Sequence, residues 1–176
     1  FSWATGIGST LNDFANSVTE DNTGAIITGG YFQEFMDFDP GPENAYIDPV
    51  TTSAYVTKVD ASGNFIWAKG FISSDGTCVV NAVATDADNN IYAIGYFNAT
   101  VDFNPNAGVL NLTTSGLQDI FIVKLTENGG LIWAKQLGGP ENDDAFDLTL
   151  DTEGNIYITG GFQGTIDLEI GPDETN

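Results

Sequence analysis

Three short acidic segments hold the residue types best suited to chemistry in this chain: Asp37-Phe38-Asp39-Pro40-Gly41, Asp102-Phe103-Asn104-Pro105-Asn106 and Asp167-Leu168-Glu169-Ile170-Gly171. Oxygen-bearing side chains stand at alternate positions. In an extended chain Asp37 and Asp39, Asp102 and Asn104, and Asp167 and Glu169 therefore face one way, while Phe38, Phe103 and Leu168 face the core. Ca²⁺ takes six to eight oxygens, and a short D-x-(D/N/E)-x-(G/N) loop that curls supplies several at once. These six polar residues are the candidate metal ligands, and calcium is the candidate cofactor. A full EF-hand loop also needs a bidentate Glu near its twelfth position. Asp48 stands 11 residues after Asp37, but no acid stands 11 after Asp102. The same segments also read as solvated turns closed by Pro and Gly, with Asp capping backbone amides.

The rest of the composition removes other chemistries. Four Lys+Arg oppose 25 Asp+Glu, for a net charge of −21; the four are Lys58, Lys69, Lys124 and Lys135. Nothing here neutralises a run of phosphates, so nucleic acid and anionic membrane surfaces are not expected partners. No apolar run approaches the roughly 20 residues that span a bilayer. With no His, Ser-His-Asp and Cys-His sites are impossible. Cys78 is the one cysteine and reads as a small buried hydrophobe. Carboxylate pairs such as Asp143-Asp144 or Asp37/Asp39 raise glycoside hydrolysis. That reaction needs two environments that split the pKa values, and near-identical repeated loops offer the opposite. No catalytic residue is assigned, and the chain is not expected to be an enzyme.

The elements that position these residues repeat with a period near 65. Asp21, Asp86 and Asp151 are 65 apart, as are Gly30, Gly95 and Gly160, and Phe32, Phe97 and Phe162. Trp3, Trp67 and Trp133 follow with one-residue slips, and Lys58 and Lys69 recur as Lys124 and Lys135. Each unit reads as short strands joined by Gly turns. FDLTLD alternates from Phe146, NIYITGGF spans 155–162, DIFIVKLT spans 119–126 and LIWAKQL spans 131–137. An excursion of some 20 residues, Asp37 to about Ser53 and Asp102 to about Gln118, separates the second and third strands. No segment shows a sustained helical period. The tryptophans sit in apolar strands and are expected to fill the space between sheets.

The expected fold is all-β, built of tandem four-stranded antiparallel propeller-type blades, about 2.75 in this chain, as an incomplete propeller or open blade array. A parallel β-helix or a tandem of sandwiches fits less well. Residues 1–9 supply the last strand of a preceding blade, 10–74 a first full blade, 75–139 a second, and 140–176 the first half of a third. That makes eleven strands. Neither an initiator Met nor a signal peptide is present, which fits a mature or excised segment.

The string D-x-x-G-N-I-Y-I-T-G-G-F at Asp151–Phe162 resembles the SBBP-type β-propeller repeat of bacterial secreted and surface proteins. So do T-I-D-L at Thr165–Leu168, D-I-F-I-V-K-L at Asp119–Leu125 and L-I-W-A-K at Leu131–Lys135. The resemblance extends over essentially the whole chain, although Ile170 stands where the other units have Pro40 and Pro105. It implies a propeller-like fold and export, and no defined activity. The expected function is a non-catalytic structural or adhesive repeat module of a secreted or cell-surface bacterial protein. Its partners would be further repeats of the same parent chain or other copies of itself, stacked end to end. A lectin-like module that binds surface glycans through Tyr46 and Tyr55 is the alternative, and a glycoside hydrolase the third reading.

Overall fold

The computed structural model describes residues 3–166. Fourteen strands and no helix occupy them. In chain order they are β1 (Phe14–Glu20), β2 (Ile26–Phe32), β3 (Met36–Asp37), β4 (Tyr46–Ile47), β5 (Ser53–Val59), β6 (Phe65–Ser73) and β7 (Cys78–Thr85). They continue as β8 (Ile91–Phe97), β9 (Thr100–Asp102), β10 (Asn111–Thr113), β11 (Asp119–Leu125), β12 (Leu131–Leu137), β13 (Asp143–Leu150) and β14 (Ile156–Phe162). β1-β2-β5-β6 and β7-β8-β11-β12 form two antiparallel four-stranded units, and β13-β14 is a separate pair. None of these sheets closes into a barrel among the described residues. The fold is all-β, as the sequence predicts.

The strand count differs from the expected eleven at two places. The residues from Trp3 to Asp13 form no strand. A strand exists only through a ladder partner, and this segment has none among the described residues. The excursions, in contrast, are partly ordered as short hairpins. β3 pairs with β4 through Met36↔Ile47 and Asp37↔Tyr46, and β9 pairs with β10 through Asp102↔Asn111, Val101↔Leu112 and Thr100↔Thr113. The β9-β10 hairpin also reaches back to the preceding unit, pairing Asp102 with Ile72 and Val101 with Ser73 on β6. Two or three residues per strand are too few to show a period in sequence.

The blades stack face to face, and the core is the set of seams between them. Alternation along each strand sends neighbouring residues to opposite faces. Val56, Trp67 and Phe71 of the first blade therefore meet Val80, Phe97, Phe103 and Phe121 of the second in one buried cluster. The opposite face of the second blade presents Tyr92, Ile94, Ile120 and Ile122 to Ala145 and Leu148 of β13.

The repeated glycine has a steric cause. The first two strands of each unit are joined through a β-bulge, at Ala15/Ser17, Val80/Ala82 and Ala145/Asp147. Gly30, Gly95 and Gly160 lie opposite these bulges, where a Cβ would collide with the backbone carbonyl of Phe14, Val79 or Asp144. Only glycine permits that approach.

Candidate functional site

The acidic loops are held by their own side chains. Asp37 Oδ1 accepts the amides of Asp39 (3.0 Å) and Ala45 (2.8 Å), and Asp39 Oδ1 accepts that of Gly41 (2.7 Å). Asp102 Oδ1 accepts the amides of Asn104 and Leu110, both at 2.9 Å, and Asn104 Oδ1 accepts that of Asn106 (3.1 Å). The two loops are thus the same device: an Asp closing the short hairpin around a buried Phe38 or Phe103. Asp167 and Glu169 lie outside the described residues. Among the described residues no group of three or more acidic or cysteine side chains converges as a metal would require. Melting curves test this. Because capping already holds these loops, CaCl₂ is expected to raise Tm no more than NaCl of equal ionic strength. A larger rise that saturates with calcium would establish a bound ion.

The more developed chemistry lies at the turns between the first and second strands. Asp21 Oδ1 accepts the Thr23 and Ala25 amides and the Thr23 hydroxyl, while Oδ2 sits 2.7 Å from Lys58 Nζ, both side chains being buried. Burial pushes this carboxyl up, but Lys58, Thr23 and Ala25 outweigh it and hold it at about 2. In the second blade Lys124 Nζ lies 3.2 Å from Asp86 Oδ2 and 4.7 Å from the centre of the Tyr92 ring. Burial opposes the charge on Lys124; Tyr92 and Asp86 overcome it and raise the ammonium's pKa. The recurrence of Lys58 as Lys124 and of Asp21 as Asp86 and Asp151 is visible in sequence. Turn chemistry alone accounts for D-x-x-G, however, so the ion pairs are not legible from it.

Side chains from one blade also grip the next. Trp3 Nε1 donates to Ala61 O (2.9 Å) and Trp67 Nε1 donates to Glu127 O (3.1 Å), in each case at the turn between the third and fourth strands. Lys58 Nζ reaches the same Glu127 carbonyl at 3.4 Å. At the bulge, Asn16 Nδ2 donates to Val80 O (2.9 Å) and Asn81 Nδ2 to Ala145 O (2.8 Å). Sequence reasoning passed over these asparagines, although they stand 65 apart like the residues it used. Phe146 occupies the third such position and is exposed.

Residues 132–160 match the SBBP beta-propeller repeat family. The chain carries an SBBP repeat. The matched stretch runs from β12 into β14, so it straddles the seam between the second blade and the β13-β14 pair. The chain is also 32% identical over 146 residues to an uncharacterized WD repeat-containing protein of Acanthamoeba polyphaga mimivirus. That alignment covers 78% of this chain and 10% of the relative, so the chain spans about a tenth of the length of the curated relative it matches.

The first blade has one face without a neighbouring blade among the described residues. Phe32, Phe38 and Tyr55 occupy the positions that Phe97, Phe103 and Phe121 hold in the second blade, where they pack against the first. Here Phe38 and Tyr55 line a cavity of about 340 Å³ together with Trp3, Ile7 and Met36. Tyr55 is buried there, and burial plus the charge of Asp13 pushes its hydroxyl up to about 12. Tyr55 is therefore no platform for a sugar. Tyr46 is exposed and stacks on exposed Phe35 with ring centres 4.6 Å apart. Of the carboxylate pair Asp143-Asp144, Asp143 is fully buried and accepts the Gly139 amide at 2.7 Å. Asp144 faces Asn81 Nδ2 at 3.1 Å, so the two do not act as one site.

Proposed function

We propose that this chain is a non-catalytic structural and adhesive segment of a longer bacterial protein, secreted or displayed on the cell surface, that joins blade to blade with further SBBP units. One observation carries the reading. Trp3 and Trp67 each donate to the corresponding turn of the following blade, and Asn16 and Asn81 each bridge to the following inner strand, so the units are built to be continued. The apolar face of the first blade, with Phe32, Phe38 and Tyr55 at the positions that form a seam in the second, supports the same reading. Unpaired strand edges favour pairing with another chain. The charge of −21 opposes disordered clumping. Sedimentation of the 176-residue chain over a range of concentrations tests this. The average mass is expected to rise with concentration, and more steeply in added NaCl, which screens the repulsion. A monodisperse monomer throughout would contradict it.

Surface glycans are a second partner class, favoured by the exposed Phe35–Tyr46 stack. A specific hit on a glycan array that Tyr46→Ala abolishes is the expected result of that reading; an array without hits would remove it.

A further inference from the structure

We propose that Asp119 and Asp143 form a buried proton-binding site in the seam between the second blade and β13, which holds that joint closed in acid and loosens it as pH rises.

Both seams are built on the same pair of positions. Each pairs the first residue of a third strand, Ser53 or Asp119, with the first residue of the following blade, Cys78 or Asp143. The Cys78 amide donates to Thr52 O at 2.9 Å, and the Asp143 amide donates to Gln118 O at 2.9 Å. Short parallel bridges, Thr52↔Thr77 and Gln118↔Asn142, accompany these bonds. All four residues of the two pairs are fully buried. The first seam fills its pair with a hydroxyl and a thiol that burial keeps neutral. The second seam places two carboxyls there.

The two carboxyls are not equally provided for. Asp143 accepts the Gly139 amide on Oδ2 (2.7 Å) and the Gln163 amide on Oδ1 (3.3 Å). Asp119 Oδ2 accepts the Ser115 amide (2.8 Å) and Gln136 Nε2 (2.6 Å). Asp119 Oδ1 is buried with no hydrogen-bond partner, facing Gly138, where a Cβ would come within 2.6 Å of it. No cation reaches the pair among the described residues. Lys58, Lys69 and Lys124 are held by Asp21, Asn106 and Asp86, and Lys135, next to Gln136 on β12, is turned to the other face by alternation. The groups around Asp119 are thus Ser115 in the preceding turn, Gln136 on β12 and Asp143 on β13, while Asp144 turns to Asn81. Asp143 is the one charge among them, and its sign is the same.

A buried carboxylate oxygen without a donor, beside a second carboxylate, favours the neutral acid. Burial first, and then the charge of Asp143, raise the Asp119 carboxyl above its ordinary value of 3.8, against the bonds from Ser115 and Gln136. Asp119 is therefore the member that takes the proton, on Oδ1, while Oδ2 keeps both donors. With a folded-state pKa above the unfolded one, this stabilisation is full below the ordinary value and is lost as pH rises through the folded one. That is the opposite sign to Asp21. Deprotonation puts two like charges into the seam where Ile120 and Ile122 pack with Ala145 and Leu148, so it acts on the joint between blades.

The carboxyl ¹³C resonance of Asp119, assigned by triple-resonance NMR on the full 176-residue chain and followed from pH 3 to pH 9, reads the site directly. Its midpoint is expected above the ordinary carboxylate range. Denaturant melts of the parent, Asp119→Asn and Asp119→Ser read the linkage. Asparagine stays neutral and keeps an oxygen for Ser115 and Gln136; serine is the residue the first seam uses. The parent is expected to lose stability relative to both variants as pH rises from 4 to 8. Glu141→Gln, which removes an exposed charge from the adjoining turn, is expected to track the parent. If neither Asp119 variant folds, the titration of the parent still decides. A midpoint at or below the ordinary carboxylate range, or stabilities of parent and Asp119→Asn that run parallel with pH, would overturn the proposal. So would a midpoint that rises into place only when EDTA is added, since a metal ion would then hold the position assigned to the proton.

Discussion

Lys58→Met is expected to cost about 3–5 kcal/mol, the range for breaking a buried ion pair by removing one partner. The lysine and Asp21 are 8% and 0% exposed, and Lys58 is the partner of Asp21 Oδ2. Truncation leaves a buried carboxylate whose other oxygen alone is satisfied, by Thr23 and Ala25. Acid titration gives the effect a signature. With a folded-state pKa held at about 2, below the unfolded value, Asp21 contributes stability that is present above about pH 4 and lost as pH falls towards 2. Without Lys58 the burial of the carboxyl is unopposed by an ammonium, so its pKa rises. The deficit of the variant should then shrink on acidification as Asp21 protonates. Adding Asp21→Asn to Lys58→Met should restore part of the loss, since the asparagine keeps an oxygen for the turn and removes the stranded charge. Lys124→Met should cost less, because its pair is partly exposed at 20% and 15%. Denaturant melts of the parent chain and the three variants at pH 7 and pH 3 decide this; a loss under about 1 kcal/mol for Lys58→Met would mean the pair behaves as a solvated one.

What sequence revealed and what it concealed divide along a physical line. The blade repeat was legible because each of its constraints is local. Gly30, Gly95 and Gly160 are required by one backbone contact each, and the D-x-x-G turns by one positive φ, at Gly24 and Gly154 for example. The longer strands are near-continuous runs of β-branched and aromatic residues, seven long and buried on both faces. The contacts between blades are not local. Whether Trp67 packs or Asn81 bridges depends on what the next unit places opposite, some 60 residues away. The acidic loops show the other limit. D-x-D-x-G and D-x-N-x-N describe a cation loop and a self-capped hairpin equally well in sequence. The structure adds what the motif leaves out, the amides of Ala45 and Leu110 eight residues further on, which Asp37 and Asp102 accept.

The same distinction separates the tryptophans, which sequence treats as equivalent. Trp67→Ala is expected to cost about 3–5 kcal/mol, since the indole is buried in the seam between the first and second blades. Trp67→Phe separates the two contributions. It keeps most of the apolar contact but removes the bond to Glu127 O, leaving that carbonyl to Lys58 at 3.4 Å, so about 1 kcal/mol should be lost. Trp133 sits at the matching position of β12, half-buried, with its ring edge-on to Tyr92 at 6.1 Å. It has no following turn to bond among the described residues, where Trp67 has Glu127. Trp133→Ala should therefore cost clearly less than Trp67→Ala, although both stand in the same I-W-A-K motif. The stability of the blade array would then reside in its completed seams, and each added blade would convert a half-buried tryptophan into a buried one. If Trp67→Ala and Trp133→Ala melt alike, the stabilisation lies within each sheet instead, and the argument from seams fails with it.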